Sequence, residues 1–230
     1  MRVCLVLFAS GFYALAGYER SHQAEEKENC EELRPAKEVS ATARDESSGV
    51  DSTLTIKEAE ALLARGIGHW KGIGVAKDAE GEVLAQIPLV ARVRWLKEGD
   101  KGFRKIGGES AESKVQEMRV TEKLPQGDQE LVFTRWYDSG KGLFLLTRRL
   151  AGEEPPGKPS AEETYDAEAD AYLGIVREGL QRGGSFTWRS QMTNEKWIYR
   201  GRFLQDSQLQ WTRVDRLSPV KVTPSNPEAP

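Results

Sequence analysis

At 230 residues, the chain is long enough for one large β domain or two small ones. Hydrophobic residues make up 38% of it and charged residues 30%, yet six Trp and seven Phe suffice for one substantial core. The formal net charge of −3 is small, so the composition favours neither nucleic acid nor an acidic membrane as a partner.

The N-terminus has the pattern of a secretory signal. Arg2 precedes an apolar run over residues 3–16, which ends in a small-residue cleavage site. The run is shorter than the roughly 20 residues that a membrane-spanning helix needs. We expect residues 1–16 to be a signal peptide, the protein to be secreted or periplasmic, and the mature chain to contain no membrane span; an uncleaved anchor is the alternative. Cys30 would then be the one remaining cysteine, which excludes an internal disulfide framework.

A short helix is predicted after a polar segment. Residues 17–52 are rich in Glu, Lys, Ser and Ala without a sustained apolar period, which is typical of a disordered tether. Thr55 and Glu58 then fit a capping box at the start of a helix over residues 56–65. Gly66 is placed to end this helix in a left-handed conformation.

From Ile67 onward the apolar period changes to two. Residues 83–95 predict a long strand with one buried side, bent or placed at an edge by Pro88. A hairpin is predicted from residues 164–166 and 171–174. Further segments rich in aromatic or branched residues lie between turn signals and predict strands over 114–124, 130–137, 142–150, 185–192, 196–204 and 208–217.

Many strands joined by short turns, with no helices between them, predict an all-β fold. We expect an antiparallel up-and-down barrel with one short N-terminal helix over residues 53–217, an exposed loop over 151–160, and a disordered tail over 218–230. A β-sandwich is the alternative. The barrel is preferred because closure removes the unpaired edges that consecutive hairpins otherwise leave.

The start of the strand region resembles a known family. A short helix leading into Gly68-His69-Trp70 resembles the Gly-x-Trp opening of lipocalins and related calycin barrels. The resemblance implies a barrel with a cavity, in which Trp70 packs across the closed end and an arginine of the last strand, Arg213 or Arg216, lies against it through a cation–π contact. The lipocalin-type disulfide is absent. Three late segments look like the closing hairpins of small exported lipocalin-like domains, many without an assigned function: residues 186–188, 197–203 and 209–212.

Residues suited to catalysis or metal binding are sparse. His22 and His69 are the only histidines, too few for a histidine-ligated zinc site, and no Gly-x-Ser-x-Gly elbow is present. Asp166, Glu168 and Asp170 lack the glycine and the closing Glu of a calcium loop, so a solvated acidic turn is the expectation. The sequence therefore predicts a non-enzymatic protein with no cofactor and no metal.

Aromatic side chains supply the candidate ligand site. Five of them share strand phases with the inward-facing residues and either line a pocket or fill the barrel: Trp95, Trp136, Trp188, Trp197 and Tyr199. We predict that the barrel holds a small apolar or aromatic ligand. The alternative is an interaction module with a filled interior, whose outer face binds a protein or an anionic polysaccharide. That outer face would use arginines that fall mostly out of phase with the apolar residues: Arg92, Arg94, Arg148, Arg200 and Arg202. The sequence leaves the oligomeric state open.

Overall fold

In a computed structural model, the chain forms a closed antiparallel barrel with one short helix. The structure describes residues 54–100, 113–176, 180 and 183–221. The predicted barrel class is confirmed, and the sandwich alternative is not formed. The predicted signal peptide and tether lie outside the described residues, as does the predicted tail beyond residue 221.

The barrel has ten strands in simple meander order. They are β1 (Gly68–Asp78), β2 (Val83–Trp95), β3 (Gln116–Leu124), β4 (Gly127–Asp138), β5 (Leu143–Leu150), β6 (Ala161–Asp166), β7 (Ala171–Val176), β8 (Gly184–Met192), β9 (Trp197–Gln205) and β10 (Gln208–Pro219). Each strand pairs with its sequence neighbours, and β1 also pairs with β10, from Trp70 opposite Pro219 to Asp78 opposite Trp211. The last strand thus runs two residues into the predicted tail.

The helix α1 (Ile56–Ala64) begins with the predicted capping box. The Glu58 amide donates to the Thr55 hydroxyl at 3.3 Å, and the Thr55 amide donates to the Glu58 carboxylate at 2.8 Å. These bonds satisfy two amide groups that a helix start otherwise leaves unpaired. The apolar face of α1 packs against Tyr137, Phe144 and Tyr172, so the helix covers one end of the barrel, here called the helix end.

Gly66 does not take the predicted left-handed conformation. Among the described glycines, it is Gly68 that has a positive φ here, at 141°. Gly66 is instead required for space, because a Cβ at this position would lie 2.3 Å from the Met192 sulfur. The glycine that ends the helix region therefore serves packing, and the one that begins β1 serves backbone geometry.

Strand register determines which side chains face the interior, the lumen. Trp70, Ala91, Val120 and Leu131 occupy paired positions across β1 to β4, and alternation along each strand extends this inward set around the closed barrel. Near the helix end the lumen is filled by a core that includes Trp70, Met192 and Trp197. The opposite end, where β1 turns into β2 and β9 into β10, is here called the far end. Within the described part of the chain, no helix is long and apolar enough to cross a membrane.

Candidate ligand site inside the barrel

Four aromatic side chains line the lumen toward the far end. Phe186 and Trp188 lie on β8, Phe203 on β9 and Trp211 on β10, all at inward positions. The Phe186 ring centre is 5.8 Å from that of Trp188 and 5.5 Å from that of Trp211, and the Phe203 ring stacks on Trp211 at 5.8 Å. All four are half-buried, so parts of their rings remain accessible. We call this group the aromatic wall.

Two glycines allow the aromatic wall to form. A Cβ on Gly174 would lie 1.9 Å from the Trp188 indole, and one on Gly201 would lie 2.9 Å from the Phe186 ring. Both rings therefore lie close against the backbone of a neighbouring strand, where any side chain would displace them. The Trp188 indole is also held by its N–H, which donates to the Glu163 carboxylate at 2.7 Å.

A buried ion pair lies beside the aromatic wall. The Arg135 guanidinium is 2.5 Å from the Glu163 carboxylate, and the two residues are only 7% and 4% exposed. The same guanidinium lies 3.7 Å from the centre of the Tyr172 ring and 5.0 Å from that of Phe144. Burial raises the pKa of Tyr172 to about 12. Its buried hydroxyl makes no hydrogen bond to any described residue.

A second ion pair crosses the lumen from β10. The Arg213 guanidinium lies 2.7 Å from both the Glu122 and the Asp215 carboxylates. Burial opposes its charge, but the two carboxylates outweigh burial and raise the pKa of Arg213. Burial raises the pKa of Asp215, and Arg213 only partly offsets this. Gly74 on β1 leaves room for the pair, since a Cβ there would lie 2.4 Å from the Asp215 carboxylate.

Arg148 and Tyr199 complete the polar part of the lumen. Arg148 lies opposite Phe133 and Tyr199 opposite Asp215, both inward positions. The predicted outer-face position of Arg148 is therefore wrong. Burial lowers the pKa of the Arg148 guanidinium, and burial followed by the Asp215 charge raises the pKa of the Tyr199 hydroxyl. Both residues nevertheless keep part of their surface exposed. Because both face inward, that exposed surface borders the lumen.

The structure separates the five aromatic residues predicted to bind a ligand. Trp188 and Tyr199 face the lumen as described. Trp197 lies at the helix end, where its ring meets Trp70 edge to face at 6.2 Å and its N–H donates to the Ser190 hydroxyl at 3.0 Å. Trp95 is also at the helix end, packed against the core that contains α1.

Trp136 is on the outer face of the barrel, contrary to its predicted inward phase. It packs with Leu96, Val115 and Leu145, while its neighbour Tyr137 faces the core beneath α1. Trp136 therefore cannot contact a ligand in the lumen, and this part of the prediction is wrong.

Trp70 is buried near the start of β1, but neither arginine that was expected to lie against it does so. Trp70 is 2% exposed, and its indole N–H donates to the Gly66 carbonyl at 2.9 Å. Arg213 lies opposite Ala76, well along β1 toward the far end, and Arg216 is exposed opposite Ile73. The expected cation–π contact with Trp70 is not formed: within the described residues such contacts involve the rings of Trp95, Phe144 and Tyr172.

Several residues of this site were not singled out from the sequence: Glu122, Arg135, Glu163, Phe186, Phe203, Trp211 and Asp215. The spacing of two between Phe186 and Trp188, and among Tyr199, Gly201 and Phe203, is a signal that identifies two of them, Phe186 and Phe203. The charged members carry no such signal, because a Glu or Arg on a strand ordinarily marks the outer face. Within the described residues, no cluster of three or more His, Cys, Asp or Glu is arranged to hold a metal ion.

Comparison with known proteins supports the fold. No family model and no curated protein matches the sequence. Among solved structures, an S-type phycobiliprotein lyase from Guillardia theta aligns with a TM-score of 0.51 and 10% sequence identity, covering 71% of this chain and 93% of its own. A protein of unknown function from the DUF3598 family of Nostoc punctiforme aligns over 70% of this chain and 99% of its own, with 8% identity and a TM-score of 0.22.

Proposed function

We propose that the protein is a non-enzymatic binding protein that holds a small molecule with a planar aromatic or conjugated ring system inside the barrel. The observation that carries this proposal is the aromatic wall, whose four half-buried rings face the lumen from three adjacent strands. Flat rings with accessible faces favour stacking with another flat ring system. The likeness to a phycobiliprotein lyase supports the barrel form and adds nothing about the ligand.

The charged groups in the lumen define the rest of the ligand. Arg148 and Tyr199 keep exposed surface toward the lumen, and Arg213 lies close enough to lower the pKa of Arg148 further. A ligand with an acidic or hydrogen-bond-accepting substituent would place its ring on the aromatic wall and that substituent toward Arg148.

The proposal includes export, as the pattern of residues 1–16 predicts. N-terminal sequencing of the protein purified from its own host tests this part separately. A mature chain that begins near residue 17 supports export with cleavage, whereas a retained Met1 contradicts cleavage and favours the uncleaved anchor.

Native mass spectrometry of the host-purified protein tests ligand binding directly. A retained small molecule would be identified by its mass, and tryptophan quenching by a panel of planar aromatic acids would give affinities. Phe186→Leu should weaken binding roughly fivefold to tenfold, because it removes one ring of the aromatic wall. Trp136→Leu is the control, since it removes a buried aromatic ring from the outer face of β4, away from the lumen. It should lower stability and leave the affinity unchanged. A bare mass with no quenching by any member of the panel, or equal losses of affinity in both variants, would refute the proposal.

A further inference from the structure

The outer surface of the barrel has a strongly basic side. Strands β8, β9, β10, β1, β2 and β3 are consecutive neighbours around the barrel. Among the outward positions of these strands, Glu117 is the one acidic residue. The basic residues at these positions, here called the basic face, are Lys71, Lys77, Arg92, Arg94, Arg119, Lys123, Arg189, Arg200, Arg202 and Arg216.

The charges of the basic face are mostly not neutralised within the barrel. Arg92 lies directly opposite Arg119, and Arg189 directly opposite Arg200. Like charges in such cross-strand pairs are destabilising. Three members of the basic face form ion pairs: Arg94 with Asp100 and Glu117, Arg119 with Glu117 and Glu130, and Lys123 with Asp128. Arg92, Arg189 and Arg200 form none with another described residue. Although the net charge of the protein is −3, the positive charges of the basic face repel one another and attract anions.

The opposite side of the barrel carries the reverse charge. The outward positions of β4 to β7 hold Arg149 as their one basic residue. Their acidic residues are Asp128, Glu130, Asp138, Glu162 and Asp166. The barrel therefore has a positive and a negative side, which would orient it at any anionic surface.

The middle of the basic face is apolar. Ile73 is 51% exposed and lies directly opposite Pro88 of β2. Val90, the next outward-facing residue of β2 after Pro88, is 45% exposed. Lys71 pairs with Val90, and Arg216 pairs with Ile73, so cations surround these apolar side chains. A depression of about 380 Å³ adjoins Val90 and is lined by Arg92, Arg94, Arg119 and Thr121. Two carboxylates, Glu117 and Glu130, also line it and form ion pairs with Arg94 and Arg119.

We propose that the basic face binds the surface of a bilayer that contains anionic lipids. Exposed aliphatic side chains ringed by Lys and Arg match the membrane interface, where apolar groups enter between head groups and cations contact phosphates. In this depression Arg92, which forms no ion pair with another described residue, contacts a phosphate head group. An anionic polymer would gain no favourable contact from the apolar side chains of Ile73 and Val90. The convex outer surface of the barrel also provides no continuous groove for such a polymer. This inference does not depend on a ligand in the lumen.

Co-sedimentation of the full chain with lipid vesicles tests the proposal. We expect binding to mixed phosphatidylserine–phosphatidylcholine vesicles, no binding to pure phosphatidylcholine, and weaker binding as salt is raised. Each basic residue near such a surface contributes about a fivefold gain in affinity, so Arg92→Gln/Arg216→Gln should weaken binding roughly 30-fold. Ile73→Ser should weaken it a further few-fold and do so even at high salt, since its contribution is apolar.

The matched control is Lys141→Gln/Lys158→Gln, which removes the same charge from exposed positions outside the basic face. It should change vesicle affinity less than twofold. We expect all variants to fold, because every substituted residue is exposed. Circular dichroism and thermal melting check this. No binding to anionic vesicles, or equal losses in the two double variants, would overturn the proposal. Tighter binding to a sulfated polysaccharide than to vesicles, with no effect of Ile73→Ser, would also overturn it and assign the face to an anionic polymer.

Discussion

Replacement of Glu163 by Leu should destabilise the barrel strongly. Glu163 is almost fully buried, and its carboxylate is the ion-pair partner of the equally buried Arg135. Removal of one member of a buried ion pair leaves an uncompensated charge, which costs about 3–5 kcal/mol. The Trp188 indole N–H would also lose its acceptor, at a cost of about 1–3 kcal/mol.

The companion substitutions separate these two costs. Arg135→Met/Glu163→Leu replaces the ion pair by apolar side chains of similar volume, which is often neutral or stabilising. The double variant should therefore retain little more than the cost of the unpaired Trp188 N–H. A double-mutant cycle over Arg135 and Glu163 should give a coupling energy of about 6–10 kcal/mol, because each single variant carries an uncompensated charge that the double variant lacks.

Urea denaturation followed by tryptophan fluorescence measures all four proteins of this cycle. For a domain of this size, the combined cost should make the single variant Glu163→Leu melt about 8–32 °C below the unmodified protein. A coupling energy below about 0.5 kcal/mol would mean that the two charges are not paired across the lumen. The same conclusion would follow if the double variant were as unstable as the sum of the two single variants.

Three further predictions concern the helix end. Trp70→Ala should cost about 3–5 kcal/mol in the free energy of unfolding, because it leaves a large void in a filled core; a denaturation midpoint close to that of the unmodified protein would contradict this packing. Gly66→Ala should cost about 1–3 kcal/mol through its contact with Met192, and Met192→Ala in the same chain should remove that clash, leaving only the cost of the lost Met192 side chain. Tyr172→Phe should be neutral or stabilising at pH 7, since the hydroxyl makes no hydrogen bond to a described residue. Its pKa of about 12, raised from 10.0, means that the unfolded chain loses this proton first, so the stability of the unmodified protein should fall relative to Tyr172→Phe as pH rises from about 10 to about 12. An absorbance titration that shows no tyrosine ionising near pH 12, or one that Tyr172→Phe leaves unchanged, would contradict this assignment.

The strand pattern predicted the barrel because most strands have one clearly apolar phase. It misplaced Trp136 because Leu131 and Val132, and again Trp136 and Tyr137, put apolar residues on both faces of β4. The outer face of β4 is itself buried at these positions, with Val132 fully inaccessible. A period of two therefore cannot distinguish inside from outside on this strand.

The charged interior was beyond what the sequence alone could predict. Arg148 and Glu163 sit on strands beside many other charged residues, and only the register shows that they face the lumen. Conversely, the small net charge concealed the distribution of charge around the barrel. Residues such as Arg92 and Arg216 come from distant segments and share one face only because β1 pairs with β10.

Pairing of β1 with β10 has a consequence for synthesis. The first strand to leave the ribosome must wait for the last before its second edge is covered, and at typical elongation rates this interval is roughly 10–30 s. Throughout that time β1 presents unpaired amide and carbonyl groups beside the exposed Ile73. High contact order of this kind slows folding and leaves the nascent chain open to edge-to-edge aggregation. The lysines and the three glycines of β1 disfavour such association. The composition of the strand that closes the barrel therefore also limits aggregation before β10 is available to pair with it.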